Sequence, residues 1–321
     1  MLKPTHENII NAADRISKFQ DISPCILQSG LSDIIGSQTY VKIEYLNPVR
    51  SFKLRGAVNL VQQLKESKTI SRILTASTGN HGAAMSFACR EFGMPITVGV
   101  PINADRKKTE LIAGFGGQLE FIGNDLDDTK EIMLRDPLDP YHVFIEDGSS
   151  PEIVAGTATI GLEILKQVEN LDTLIVPVGN GALIGGIGTL VKDKNPDIRI
   201  IGIQAELASC MALSFKMGRP IDTKSCSTFA GGMAVRVAIP EAVDLLLNVV
   251  DEMLLVSEDE MKSAMALYYR CTQEIVEGAG AAALAAALRY PDKIQNQTIC
   301  LVATGANIDP QLKQDIFGNL N

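Results

Sequence analysis

Three short segments of this sequence hold residue types that do chemistry on small molecules. In Ser51-Phe52-Lys53-Leu54-Arg55-Gly56-Ala57, Lys53 falls in the first turn of a helix that Ser51 is placed to cap. The helix dipole disfavours an ammonium there, so a buried Lys53 amine is prepared as a nucleophile of the kind that forms Schiff bases. The plainer reading is an amphipathic helix whose Lys53 and Arg55 face water. In Thr75-Ala76-Ser77-Thr78-Gly79-Asn80-His81-Gly82, between a strand and a helix, hydroxyls, an amide and free backbone N–H groups make a carboxylate cradle. A helix cap accounts for one of Ser77, Thr78 and Asn80, not for all three together with His81. In Pro177-Val178-Gly179-Asn180-Gly181-Ala182-Leu183-Ile184-Gly185-Gly186, again strand, tight turn and helix, bare amides suit a phosphate. Ile184 stands where the dinucleotide fingerprint needs its last glycine, and Ile187-Gly188 replaces the Lys-Ser/Thr of a P-loop. The cup therefore fits neither a dinucleotide nor ATP. For Gly185 and Gly186 close helix–strand packing is the alternative role.

Other chemistries lack material. The chain has three histidines (His6, His81, His142) and no G-x-S-x-G, which leaves little for zinc or Ser–His–Asp catalysis. Six scattered cysteines read as reduced thiols of a cytosolic protein, neither a disulfide framework nor a zinc site. The 29 Lys+Arg against 38 Asp+Glu give a net charge of −9, which repels phosphate backbones and anionic lipid, so neither nucleic acid nor membrane is an expected partner. No apolar run spans a bilayer, and the N-terminus lacks a signal pattern. A cytoplasmic location is expected.

The elements that position these segments are legible as alternation. The 321 residues, 46% hydrophobic and 21% charged, suit a globular chain of about two domains at ~150 residues each. From Ser71 onward, apolar strand patterns (72–76, 96–100, 118–122, 143–145, 173–178, 198–204, 253–256, 298–303) alternate with helical stretches such as Asn80 to Phe92 and the Ala-rich Gly278 to Leu288. Such strands predict parallel sheets covered on both faces. Tyr40 to Leu46 alternates apolar and polar residues, the pattern of an antiparallel or edge strand. No linker separates two halves, so two domains must be intertwined.

A reactive lysine, a carboxylate cradle and a phosphate cup together point to pyridoxal phosphate acting on an amino acid. Here the chain resembles the fold-type II pyridoxal-phosphate enzymes of the serine/threonine dehydratase and serine racemase family. Ser51 to Ala57 is similar to that family's Schiff-base motif, Ser77 to His81 to its asparagine loop, and Gly179 to Leu183 to its tetraglycine loop. Thr304-Gly305-Ala306-Asn307 is similar to its Ser-Gly-Gly-Asn segment. The resemblance runs from about Ile16 to Asp309. It implies two three-layer α/β/α domains with mostly parallel sheets: a large cofactor-binding domain of residues 1–71 and 142–321, and a small inserted domain of residues 72–141. It also implies a homodimer. By the same resemblance Lys53 holds the cofactor aldehyde and then acts as general base, with Phe52 against the ring and Asn80 on its phenolic oxygen. Ser77, Thr78, Asn80 and His81 serve the substrate. Gly179, Asn180, Gly181, Ala182 and Leu183 give N–H groups to the phosphate, Glu277 lies near the cofactor, and Thr304 faces the pyridine nitrogen.

A hydroxyl at that nitrogen, unlike an aspartate, leaves the ring a weaker electron sink, which favours expulsion of a β-substituent over return of the proton. The expected reaction is dehydration and deamination of a β-hydroxy amino acid, such as threonine or serine, to a 2-oxo acid and ammonia. Thr78 stands where the racemases carry a serine acid/base, so a serine or aspartate racemase is the alternative reading; a catalytically silent amino-acid sensor is another. Gln204 and Cys210 replace the family's metal-binding Glu and Asp, poor ligands for a hard cation, so no metal is expected there. Gly231 replaces an acid in Thr228-Phe229-Ala230-Gly231-Gly232. The chain ends soon after Asn307, without room for the regulatory domain of biosynthetic threonine dehydratases, and the expectation is a stand-alone, catabolic type.

Overall fold

A computed structural model describes residues 2–135 and 139–318. Among these residues ten strands form two sheets. The six-stranded sheet contains β1 (Cys25–Leu27), β2 (Gln38–Ile43), β7 (Thr173–Pro177), β8 (Arg199–Ala205), β9 (Glu252–Val256) and β10 (Thr298–Ala303), in the order β1-β2-β10-β7-β8-β9. The four-stranded sheet contains β3 (Arg72–Ala76), β4 (Ile96–Val100), β5 (Gln118–Phe121) and β6 (His142–Phe144), in the order β5-β4-β3-β6. Every pairing is parallel except β1 with β2. Strands buried on both faces, such as Ile96–Val100 and Thr173–Pro177, explain the continuous apolar runs.

Two details differ from the sequence reading. Strand β2 is antiparallel to β1, as one of the two readings of its pattern had it, but it is no edge, because it also pairs parallel with β10. Its alternation breaks at Lys42, which is wholly buried because its ammonium meets Glu163 and Gln167 at 2.6 and 2.8 Å. Strand β6 begins at His142 and pairs with β3, so the four-stranded sheet reaches past residue 141, the predicted end of the inserted segment. The three residues cross that line because their backbone groups complete the ladder of Arg72, Ile73 and Leu74.

Helix Lys53–Ser67 joins the two halves, packing on helix Asn80–Phe92 of one and helix Pro151–Gln167 of the other. Its seat on the second is set by glycines: a Cβ on Gly156 would lie 2.7 Å from both Arg55 O and Gly56 Cα. Arg55 does not face water. It is 1% exposed, with Nε 2.7 Å from Glu44 and Nη1 2.7 Å from Glu163. This buried cluster anchors the helix whose first residue is Lys53. Gly185 and Gly186 are packing glycines, their hypothetical Cβ atoms falling 2.6 Å from Leu245 Cδ2 and 2.5 Å from Val154 O. No helix among the described residues is long and apolar enough to cross a membrane.

Candidate active site

The site lies where the C-terminal ends of parallel strands from both sheets face each other, the usual place for a ligand in α/β folds. A cleft is walled by Phe52, Lys53, Asn80, Glu277 and Thr304, and floored by the loop from Gly179 to Leu183. Lys53 is positioned from its own segment: Ser51 Oγ accepts its backbone N–H at 3.3 Å, and Phe52 N–H donates to Thr304 O at 3.0 Å. The β10 end thus holds both residues. The Lys53 ammonium lies 5.0 Å from the Phe52 ring centre.

The phosphate-type loop follows β7. Gly181 takes φ +99°, a left-handed conformation that glycine tolerates, and a Cβ on Gly179 would sit 2.5 Å from Gly232 O. Backbone amides reach the cavity because side chains are absent there. One predicted donor is otherwise engaged: the Ala182 N–H donates to Asn180 Oδ1 at 3.2 Å, and Ala182 does not line the cavity. Asn180 caps the helix in this way and ties its Nδ2 to Asp147 O at 2.8 Å.

Asn80 and Glu277 share the opposite wall. Asn80 Nδ2 donates to Glu277 Oε1 at 2.8 Å, and Asn307 Nδ2 donates to Asn80 Oδ1 at 2.7 Å, fixing the amide's orientation. Glu277 is 9% exposed, and burial pushes its carboxyl up to about 7 against donors from Asn80 and the Asn307 backbone and the charge of Lys53. Thr304 is 2% exposed, and among the described residues its Oγ1 has no hydrogen-bond partner. A buried hydroxyl left unpaired beside a cavity is a group waiting for a ligand atom.

The predicted substrate cradle divides. Ser77 Oγ accepts the N–H groups of Gly79 and Gly82 at 3.2 and 3.0 Å, which leaves its own proton free to donate. Thr78 is half-buried without a hydrogen bond among the described residues. His81 turns away from the cavity, with Nε2 3.0 Å from Thr75 Oγ1 and Nδ1 3.3 Å from Asp147 Oδ1. Both ring nitrogens face protein partners, which leaves the His81 backbone N–H, in the first turn of its helix, as the group it can offer a carboxylate.

The residue sequence reasoning missed is Asp147. Its two carboxylate oxygens lie 2.7 and 2.6 Å from Lys53 Nζ. Burial opposes its ionisation, but the charges of Lys53 and then His81 outweigh this and hold it well below the usual carboxylate range. The available signal was position: Glu146-Asp147-Gly148 comes one residue after β6, where a parallel strand ends. At the metal position considered above, Gln204 Oε1 accepts from Ala212 N at 2.9 Å, and burial raises the Cys210 thiol to about 11. Among the described residues no group of three His, Cys, Asp or Glu is placed to hold a metal.

Two α/β sheets closing on a lysine, a glycine-rich amide cup and an unpaired hydroxyl define an enzyme site for a phosphorylated aldehyde. The chain belongs to the pyridoxal-phosphate dependent enzymes, whose family profile matches residues 16–305. It is 33% identical to the L-threonine ammonia-lyase of Thermotoga maritima over 95% of this chain and 76% of that protein. It is 30% identical to the catabolic L-threonine dehydratase of Escherichia coli over 98% of both. The solved structure of maize serine racemase superposes with a TM-score of 0.90 at 27% identity, covering 99% of this chain and 98% of that one. The chain spans 60% and 61% of the length of two biosynthetic L-threonine dehydratases it also matches.

Proposed function

We propose that this protein is an ammonia-lyase that removes water from a β-hydroxy amino acid, L-threonine or L-serine, to give a 2-oxo acid and ammonia. The observation that carries the reading is the unpaired Thr304 hydroxyl in the wall that also holds Lys53. The residues fit pyridoxal phosphate: Lys53 to bond its aldehyde, and the N–H groups of Gly179, Asn180, Gly181 and Leu183 for its phosphate. Thr304 Oγ1 would meet its ring nitrogen and Asn80 its phenolic oxygen. Bound there, the cofactor supplies an electron sink for the bond from Cα to hydrogen. Lys53 Nζ takes that proton. Ser77 donates its hydroxyl to the substrate carboxylate, assisted by the helix N-terminus that begins at Asn80. Phe52 excludes water from one side. Thr304, a neutral partner, does not hold a proton on the ring nitrogen, and this favours loss of the β-hydroxyl over reprotonation of Cα.

A racemase is the second reading, favoured by the free hydroxyl of half-buried Thr78 and by the likeness to serine racemase. Mixing the protein with each enantiomer in deuterated buffer separates the two. Prompt 2-oxo acid supports elimination, whereas solvent-deuterated opposite enantiomer without keto acid refutes it. A binding sensor has no use for Lys53 in the cavity wall. A homodimer in the cytosol fits the exposed Ile22, Ile26, Ile34 and Leu46 around the β1 edge and the six unpaired cysteines. Sedimentation tests the dimer.

A further inference from the structure

Asp147 ends a chain of polar contacts that runs from Ile145 O through Thr75 and His81. Thr75 Oγ1 has one proton, and that proton goes to Ile145 O at 2.7 Å. Thr75 can then only accept from His81, so His81 Nε2 carries a proton. The other ring nitrogen, Nδ1, faces Asp147 Oδ1 at 3.3 Å. A lone pair there would oppose the carboxylate, whereas an N–H there would pair with it. Asp147 is thereby held between a buried donor, His81 at 6% exposure, and the reacting amine of Lys53. Its own side chain is 28% exposed against 11% for Lys53, so the carboxylate is the more open of the pair. Of the other nearby acids, Glu146 pairs with Lys130, and Glu277 meets the neutral amide of Asn80 on the far wall.

We propose that Asp147 is a catalytic acid–base group of this enzyme, which passes the proton taken up by Lys53 on to the departing β-hydroxyl, with His81 as its positioning residue. The inference rests on the dehydratase reading given above. The proton from Cα goes to Lys53 Nζ, and its bonding pair becomes the second Cα–Cβ bond. The Cβ–O bond breaks with its pair on oxygen. Lys53 gives a proton to Asp147, Asp147 gives one to that oxygen, and water leaves. Lys53 and Asp147 end as they began, before the amine is needed again. Once taken from Cα, the proton stays on Lys53 until the departing oxygen, a stronger base, appears. His81 keeps the carboxylate oriented and compensated while the lysine is uncharged.

The test compares a hydroxyl with a leaving group that needs no proton. Asp147→Asn is expected to lose ~10²-fold in turnover of L-serine or L-threonine, whichever is faster, but under about threefold with β-chloro-L-alanine. Asp147→Glu restores much of the hydroxyl reaction. Equal loss on both substrates, or no loss on either, overturns the relay while leaving the dehydratase reading in place. Wild-type protein inert toward all three overturns both. In cofactor-free protein, ¹⁵N spectra of the histidines give an independent readout: protons on both ring nitrogens of His81, with the Nδ1 proton lost in Asp147→Asn. An Nδ1 signal unmoved by that substitution also overturns the proposal.

Discussion

Asn80 and Glu277, 197 positions apart, meet through a 2.8 Å hydrogen bond that places a buried carboxyl against the amide of the asparagine loop. The carboxyl is not offset by a full positive charge in contact, and so it titrates near 7. An acid whose folded value is raised contributes stability while protonated and loses it as pH rises from the ordinary 4.5 through about 7. Glu277→Gln mimics the protonated form at every pH. In denaturant unfolding of cofactor-free protein, the variant should match wild type near pH 4.5. Above pH 7 it should be more stable by on the order of 2–3 kcal/mol. A difference that does not grow across that window contradicts the assignment.

The Lys53 ammonium pairs with one carboxylate, Asp147, on the cavity wall, and Lys53 is not a member of the apolar core clusters. Lys53→Ala is therefore expected to fold, to lack the near-visible absorbance of a cofactor bonded to lysine, and to lose ~10³-fold or more in keto acid formation. An unchanged spectrum in that variant sinks the reading of the site.

Gly181 holds φ +99° in the amide cup. Gly181→Ala adds roughly 1–2 kcal/mol of backbone strain, and cofactor release measured by absorbance should be about tenfold faster. Gly218→Ala is the control: its φ is +65°, nothing lies within 4 Å of its hypothetical Cβ, and it is remote from the cavity lining, so cofactor retention should not change.

Arg55 neutralises Glu44 and, with Lys42, Glu163 under the helix that begins at Lys53. Burial disfavours its charge, yet these carboxylates raise it above an ordinary guanidinium. Arg55→Ala leaves buried charge uncompensated and should cost ~3–5 kcal/mol in urea unfolding. A cost under about 1 kcal/mol would show that the cluster relaxes into water instead.

Much of this architecture was legible before folding. Strands 96–100 and 298–303 occur where apolar runs fall between helical patterns, because strands covered on both faces are apolar nearly throughout, and strand 72–76, buried at alternate residues, falls where its pattern placed it. β1 was not legible: three residues, Cys25 to Leu27, carry too little pattern to register. The break in β2 was equally hidden, since a lysine is buried only where partners arrive from helix Pro151–Gln167, far along the chain.

The sequence by itself determined the family-type motifs around Lys53, Asn80, Gly179 and Thr304, because tight turns, helix starts and bare amides are local properties of a few consecutive residues. Only the tertiary structure decided that Arg55 goes inside, that His81 faces a carboxylate and not the cleft, and that Asp147 stands on the reacting amine. Those outcomes depend on charges meeting from distant segments, and burial makes each pairing obligatory: a side chain with charge but no water must find its counterpart wherever the fold brings one.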